Sequence, residues 1–138
     1  MPELFVDTSG WGNLVDASQQ FHVQAAALYR HARDQRQKIF TTNYVIAELI
    51  ALLSSPLRLP RTRIVSFIDN LKSSPYLEIV HVDSALDKQG WQLFKSRLDK
   101  EWSLVDCTSF VLMEQRGAQK ALSTDHHFEQ AGFVTLFK

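Results

Sequence analysis

Cysteine is almost absent from this sequence: Cys107 is the only one. An intrachain disulfide is thereby excluded, as is a cysteine-rich zinc site, and a reducing, cytoplasmic location is expected. No excess of positive charge is present either, since 15 Lys and Arg balance 15 Asp and Glu. The chain therefore lacks the overall basic field of many nucleic-acid binders. That balance does not exclude a phosphate-containing substrate, because acids gathered around divalent cations reverse the local sign. Long hydrophobic runs are missing: the richest stretch, Tyr44 to Leu53, is short and carries Glu48 in its middle, so no membrane span is expected. Nor does a basic start or an apolar leader precede Leu4-Phe5-Val6, and no signal peptide is expected. Neither a Gly-x-Gly-x-x-Gly loop nor a phosphate-binding Lys-Ser/Thr loop occurs, which removes the common nucleotide-binding folds. His22, His31 and His81 lack the i, i+4 pairing of a zinc-binding helix and read as surface or packing residues. There is no internal repeat, low-complexity segment or linker. The 138 residues are expected to form a single domain, 1–138.

What is there is an alternation of short apolar runs with helical periods. Leu4-Phe5-Val6 stops at Asp7-Thr8-Ser9-Gly10, a buried strand running into a polar turn. From about Asn13 to Gln37, Phe21, Ala25, Leu28 and Ala32 line one helical face, in one or two pieces. Ile39 to Thr42 reads as a second strand, with Asn43 as the expected N-cap of a helix from Tyr44 to Ser55. Pro56 and Pro60 bound a loop before a helix that starts near Arg61 and carries Val65, Ile68 and Leu71. Leu77 to Val82 is a third strand, and Asp83-Ser84 opens a helix reaching about Asp99 on which Trp91, Phe94 and Leu98 keep helical spacing. A helix from Ser103 to Arg116 ends at Gly117, Ala121-Leu122-Ser123 leads to Thr124-Asp125, and Phe133 to Phe137 is a last strand after a short helical piece. Such alternation predicts an α/β fold with an open, mostly parallel sheet covered on both faces. The functional crevice of such sheets lies beyond the carboxyl ends of the strands.

Four acids collect at that end. Asp7 and Asp125 each follow a strand, where an isolated aspartate would be an Asx turn or a helix cap. Glu48 borders the apolar arc of Val45, Ile46, Leu49, Leu52 and Leu53, one turn into the helix after the second strand. Asp106 can be explained as the third residue of a capping box begun by Ser103. Yet Phe110 and Met113, at i+4 and i+7, put it on an apolar face, where an unpaired charge is costly. Four carboxylates in one pocket repel unless some are protonated or cations bind, and hard oxygen donors suit Mg²⁺ or Mn²⁺. Those ions favour phosphate chemistry.

The stretches Phe5-Val6-Asp7-Thr8-Ser9, Thr41-Thr42-Asn43-Tyr44 with Glu48, Ser103-Leu104-Val105-Asp106-Cys107 and Ala121-Leu122-Ser123-Thr124-Asp125 with Phe128 resemble, in order and spacing, the PIN domain. The resemblance covers nearly the whole chain, and among PIN proteins it is to the small VapC-type toxins of toxin–antitoxin pairs. It implies a three-layer α/β/α sandwich and a Mg²⁺- or Mn²⁺-dependent endoribonuclease. Asp7, Glu48, Asp106 and Asp125 would be its catalytic and metal-binding acids and Thr8 a polar neighbour of the metal. It also implies a homodimer, an RNA substrate and a small antitoxin partner. His126-His127 stands where at most one further acid would be expected, so a site needing a fifth carboxylate there would be incomplete. Arg58, Arg61 and Arg63, on and beside the Pro-bounded loop, are candidates for phosphate contacts or for an antitoxin's acidic face.

Two rival readings are weaker. A haloacid-dehalogenase-like phosphatase would want a second aspartate where Ser9 stands, and a receiver-like domain would use Asp83 and leave Glu48, Asp106 and Asp125 without a role. A catalytically silent PIN-like module for RNA or protein binding is the other alternative, and it would have no reason to keep four clustered acids. Cys107 is expected to be a small buried residue, Asp83 a helix cap, and Trp11, Trp91 and Trp102 core or dimer contacts.

Overall fold

A computed structural model describes residues 2–137. Five strands, β1 (Leu4–Val6), β2 (Ile39–Thr42), β3 (Leu77–Val80), β4 (Lys120–Leu122) and β5 (Val134–Thr135), form one sheet in the order β3-β2-β1-β4-β5. Every strand pairing in it is parallel. Parallel neighbours require crossovers, and right-handed ones put the helices of outward and return journeys on opposite faces. Accordingly α1 (Thr8–Val15), α2 (His22–Asp34), α3 (Asn43–Ser54) and α4 (Arg61–Ser73) pack with one another on one face. On the other lie α5 (Ser84–Ser96), α6 (Leu104–Arg116) and α7 (His126–Gln130). The expected α/β/α sandwich is therefore present, with a sheet that is parallel throughout.

The central strands β2, β1 and β4 carry consecutive apolar residues because they are buried on both sides; Leu4, Phe5, Val6, Ile39, Phe40, Ala121 and Leu122 are all essentially inaccessible. Phe5 meets Phe40 edge-on at 5.2 Å, and Phe128 of α7 lies 6.0 Å from Phe5 and 4.9 Å from Phe110. This aromatic train ties the helices of the second face to the middle of the sheet. Among the described residues no helix is long and apolar enough to cross a membrane.

Several local expectations shift. Thr8-Ser9-Gly10 is the first turn of α1, with Asp7 as its N-cap. Thr42, not Asn43, caps α3 by accepting the Val45 amide; the Asn43 side chain accepts the Val82 amide at 2.7 Å instead. The third strand stops at Val80, the helix after it at Ser96, and the last strand keeps only Val134–Thr135. On α4 the buried apolar residues are Ile64, Ile68 and Leu71, while Val65 is exposed. On α5 the inward residues are Leu86 and Gly90. Trp91 is exposed and stacks on Phe94, and Leu98 is fully in solvent. Trp11 and Trp102 are core residues as expected.

In the order 3-2-1-4-5 the sheet reverses direction between β1 and β4. A crevice opens at such a point because consecutive connections leave to opposite faces. Asp7 leaves β1 and Asp125 follows β4, so the two flank this point. Asp83 follows the edge strand β3, two strands away, and its carboxylate accepts the Leu86 amide as a plain cap of α5.

Candidate active site

Asp7, Thr8, Glu48, Asp106 and Asp125 line one cavity of about 160 Å³, together with Ser9, Ser109, Val45, Leu52, Val105 and Phe128. The four expected acids and Thr8 are thus brought together from β1, α1, α3, α6 and the β4–α7 junction. Larger cavities exist between α3, α4 and β3 and between α5, α6 and α7. Neither contains any of these acids.

Asp7 is the most enclosed member, 6% exposed. Its Oδ1 accepts the Gly10 amide at 2.9 Å and the Ser9 hydroxyl at 2.8 Å; its Oδ2 accepts the Ser123 hydroxyl at 2.8 Å. Ser9 Oγ also accepts the Thr124 amide, and Ser123 Oγ the Asp125 amide, each at 2.9 Å. Two serines therefore stitch the exit of β1 to the exit of β4 and fix the Asp7 carboxyl between them. Despite these donors, burial dominates and pushes the Asp7 carboxyl up to about 7, with the Asp125 charge adding to the rise. A carboxylate so expensive to ionise becomes favourable once a cation shares its pocket.

Asp106 is both cap and site residue. As third residue of α6 it completes the capping box with Ser103: its amide donates to Ser103 Oγ and its Oδ2 accepts the Ser103 amide, both at 3.0 Å. That same Oδ2 lies 3.0 Å from His127 Nδ1. Desolvation raises its pKa, against the Ser103 bond; Asp125 raises it further and His127 lowers it. Glu48 stands at the open rim on α3, and Thr8 donates its hydroxyl to Glu48 Oε1. Partial desolvation raises the Glu48 pKa, with Asp106 and Asp125 contributing repulsion. Asp125 caps α7 through Oδ1, which accepts the His127 amide at 2.9 Å.

A pattern emerges among the oxygens. Asp106 Oδ2, Asp125 Oδ1 and Glu48 Oε1 are held by the protein, whereas Asp106 Oδ1, Asp125 Oδ2 and Glu48 Oε2 accept no hydrogen bond among the described residues. Among the described residues no buried side-chain oxygen is left unpaired, so the free oxygens of Asp106 and Asp125 are reached by solvent. Three carboxylates with one oxygen anchored and one open are a donor set that fits a hard divalent cation.

Ser9 and Ser123 are the residues that sequence reasoning passed over. Both stand inside the stretches that carry the family resemblance, two residues from an aspartate on the chain, and that adjacency was the available signal. The three candidate arginines, Arg58, Arg61 and Arg63, are all exposed, Arg58 with a left-handed φ of 51°. Arg63 donates Nη2 to the Val15 carbonyl at 2.8 Å, at the end of α1. His22 Nδ1 sits 2.8 Å from the Asn13 carbonyl, and His31 and His81 are exposed.

The sequence profile of the PIN domain matches residues 4–134. The chain belongs to the PIN-domain family. Among characterised proteins it is similar to the "23S rRNA-specific endonuclease VapC20" of two Mycobacterium tuberculosis strains, CDC 1551 / Oshkosh and H37Rv. To each it is 32% identical over 133 residues, spanning 96% of this chain and 97% of the relative. Among solved structures, that of Mycobacterium tuberculosis VapC20, described as a "Sarcin-Ricin loop cleaving toxin", superposes with a TM-score of 0.85 at 30% identity, covering 97% and 98% of the two chains. FitAcB from Neisseria gonorrhoeae shares the fold, with a TM-score of 0.64 at 17% identity over 98% and 96%. In this PIN domain Asp7, Glu48, Asp106 and Asp125 line one crevice.

Proposed function

We propose that this PIN domain is a divalent-metal-dependent endoribonuclease and the toxin of a toxin–antitoxin pair. The observation that carries the reading is the Asp7 carboxyl, buried at the sheet's reversal point and ringed by three carboxylates with open oxygens. A silent binding module would have no use for so costly a group. Asp106 Oδ1, Asp125 Oδ2 and Glu48 Oε2 would hold the ion, Mg²⁺ or Mn²⁺, with Asp7 behind them. When bound, such an ion acidifies its water and offsets charge on the phosphate. Ser9 and Ser123 keep Asp7 aimed, Thr8 steadies Glu48, and the capping box fixes Asp106, so the acids need little rearrangement to meet a phosphodiester.

VapC20 supplies the first substrate to try, the sarcin-ricin loop of 23S rRNA. Metal-stripped protein in EDTA should leave this RNA intact, and added Mg²⁺ or Mn²⁺ should restore endonucleolytic cuts. Cleavage undiminished by the chelator would refute the metal-dependent reading. Arg58 and Arg61 are proposed phosphate-binding residues, whereas one branch of the Arg63 guanidinium is engaged by Val15. In the same assay, Arg58→Ala with Arg61→Ala should lower the salt slope of RNA binding by about 1 to 2 units, one for each phosphate no longer neutralised. An unchanged slope places both side chains away from the RNA.

The cognate antitoxin and a second copy of the chain are the proposed partners. The resemblance to VapC-type toxins supports the first, and the exposed Trp91 and Leu98 on and just beyond α5 favour the second. Light scattering that returns only monomer would remove the homodimer.

A further inference from the structure

The ring of His127 lies between two of the acids. Its Nδ1 is 3.0 Å from Asp106 Oδ2 and 3.3 Å from Asp125 Oδ1, and its side chain is only 18% exposed. Asp106 comes from α6 and Asp125 from the β4–α7 junction, so among the described residues this ring is the side chain that bridges the two elements through a polar atom. His127 occupies the second position after Asp125, where a fifth carboxylate would be expected in some PIN sites. A carboxylate there would add a further negative charge; an imidazole N–H instead donates.

We propose that His127 is a positioning residue for the metal site: its Nδ1–H holds Asp106 Oδ2 while its backbone amide holds Asp125 Oδ1, so that Asp106 Oδ1 and Asp125 Oδ2 are left for the cavity. The inference rests on the metal-dependent reading above. Asp106 Oδ2 already accepts the Ser103 amide, and the ring adds a second donor to the same oxygen. With two donors on one oxygen the carboxylate has little freedom to rotate, and the opposite oxygen is left for a ligand. The Nδ1–H bond exists in the Nδ1–H tautomer and in the imidazolium alike, so the role requires no change of protonation. Partners of this kind behind a ligand typically change metal affinity by about 10- to 100-fold.

The neighbouring ring offers the contrasting arrangement. Asp125, His126 and His127 have ligand atoms within 4.8 Å of one another, so the two imidazoles could themselves be ligands. His126, however, is 73% exposed and its Nδ1 is 3.8 Å from Asp125 Oδ1, which leaves it outside the cavity. The positioning role predicts that only the Nδ1–H of His127 matters.

The experiment is calorimetric titration of metal-free protein with Mn²⁺, together with melting in EDTA, on wild type, His127→Ala, His127→Asn and His126→Ala. Asn places an amide N–H where the imidazole Nδ1–H was. The Ala variant should bind Mn²⁺ about 10- to 100-fold more weakly, the Asn variant within about threefold of wild type, and the His126 variant like wild type. If His127→Ala melts far below wild type in EDTA, His127→Leu serves as the donor-free variant of similar bulk. Wild-type protein that binds no Mn²⁺ overturns the metal-dependent reading and this inference with it. Wild-type binding with an unaffected donor-free variant overturns this inference alone. Equal loss in Ala and Asn, or loss in His126→Ala, shows the rings to be ligands and overturns the positioning role.

Discussion

Asp7→Asn should make the metal-free protein markedly more stable at pH 8 while removing RNA cleavage. Burial holds the folded-state Asp7 carboxyl at about 7, against 3.8 for an ordinary aspartate. Between those values the folded chain keeps a proton that the unfolded chain has released, so stability falls as pH rises, by about 1.4 kcal/mol per pH unit. The contribution is fully present below the unfolded value and gone once pH has passed the folded one. Over the whole interval the loss is on the order of 4 kcal/mol. Asn carries no charge at any pH, still accepts the Gly10 amide, and can donate to Ser123. Its advantage over wild type should therefore be smaller at pH 5 than at pH 8, growing by a few kcal/mol between them, read by denaturant unfolding in EDTA.

The other perturbed groups do not imitate this result. Glu78, held down to about 2 chiefly by the Arg116 guanidinium, contributes stability that disappears only as pH falls from its ordinary value, 4.5, toward 2, below the window used. Asp106 and Glu48 are raised and have the same sign as Asp7, but they are present in both proteins, so the difference isolates Asp7. Mn²⁺ should then stabilise wild type far more than the variant, because ligand binding to the folded state adds to stability. Cleavage should drop by about 10³-fold or more, equivalent to about 4 kcal/mol of barrier. A stability difference that is flat from pH 5 to pH 8 would show that Asp7 is not held protonated by the fold.

How far the sequence could be read depended on whether the deciding interaction leaves a periodic trace. The α/β alternation and the four acids did, because buried parallel strands are short apolar runs and the acids follow them or open the next helix. Asp106 was legible twice over, as capping-box acid and as a polar residue on an apolar face, and the structure shows both roles together. The face of α5 was not legible. Trp91 and Leu98 keep helical spacing but point outward, since α5 meets α6 at Gly90, where a Cβ would come within 2.3 Å of Thr108 Cγ2. Close backbone approach at a glycine scores as nothing in a hydrophobic pattern. Ser9 and Ser123 escaped for a related reason: the bonds from Ser123 Oγ to Asp7 and from the Thr124 amide to Ser9 Oγ span 116 and 115 positions of sequence, and only the register of β1 against β4 brings Ser123 to Asp7 and Thr124 to Ser9.

That register gives the sharpest test of how the site depends on the fold. Gly10→Ala should leave the protein largely unfolded, whereas Gly12→Ala, two residues along the same helix, should be nearly neutral. Both glycines are buried in α1 and neither has a positive φ, so helix propensity alone favours alanine at each by up to about 1 kcal/mol. Space decides otherwise. A Cβ on Gly10 would lie 2.1 Å from the Leu122 carbonyl oxygen and 2.9 Å from Val6 Cγ1. Leu122 is a β4 residue paired with Val6 of β1, so the obstacle is sheet backbone that cannot swing aside. Relief requires α1 to lift from β4 by about an ångström, which pulls Ser9 from Thr124 and Asp7 from Ser123. Overpacking against movable side chains costs about 1–3 kcal/mol, occasionally more; against backbone, with those hydrogen bonds broken as well, the expected cost is about 4 kcal/mol or more. Total stability of an ordinary domain is about 5–15 kcal/mol, so such a loss shows as insolubility or a collapsed melting temperature. On Gly12 a Cβ meets only Leu52 Cδ2, at 3.3 Å, the far end of a side chain that can yield. Thermal melts of both variants in EDTA, with RNA cleavage on whatever folds, make the comparison. A Gly10→Ala protein that melts within a few degrees of wild type and still cleaves would mean that α1 and β4 are not held together as closely as Asp7, Ser9 and Ser123 require.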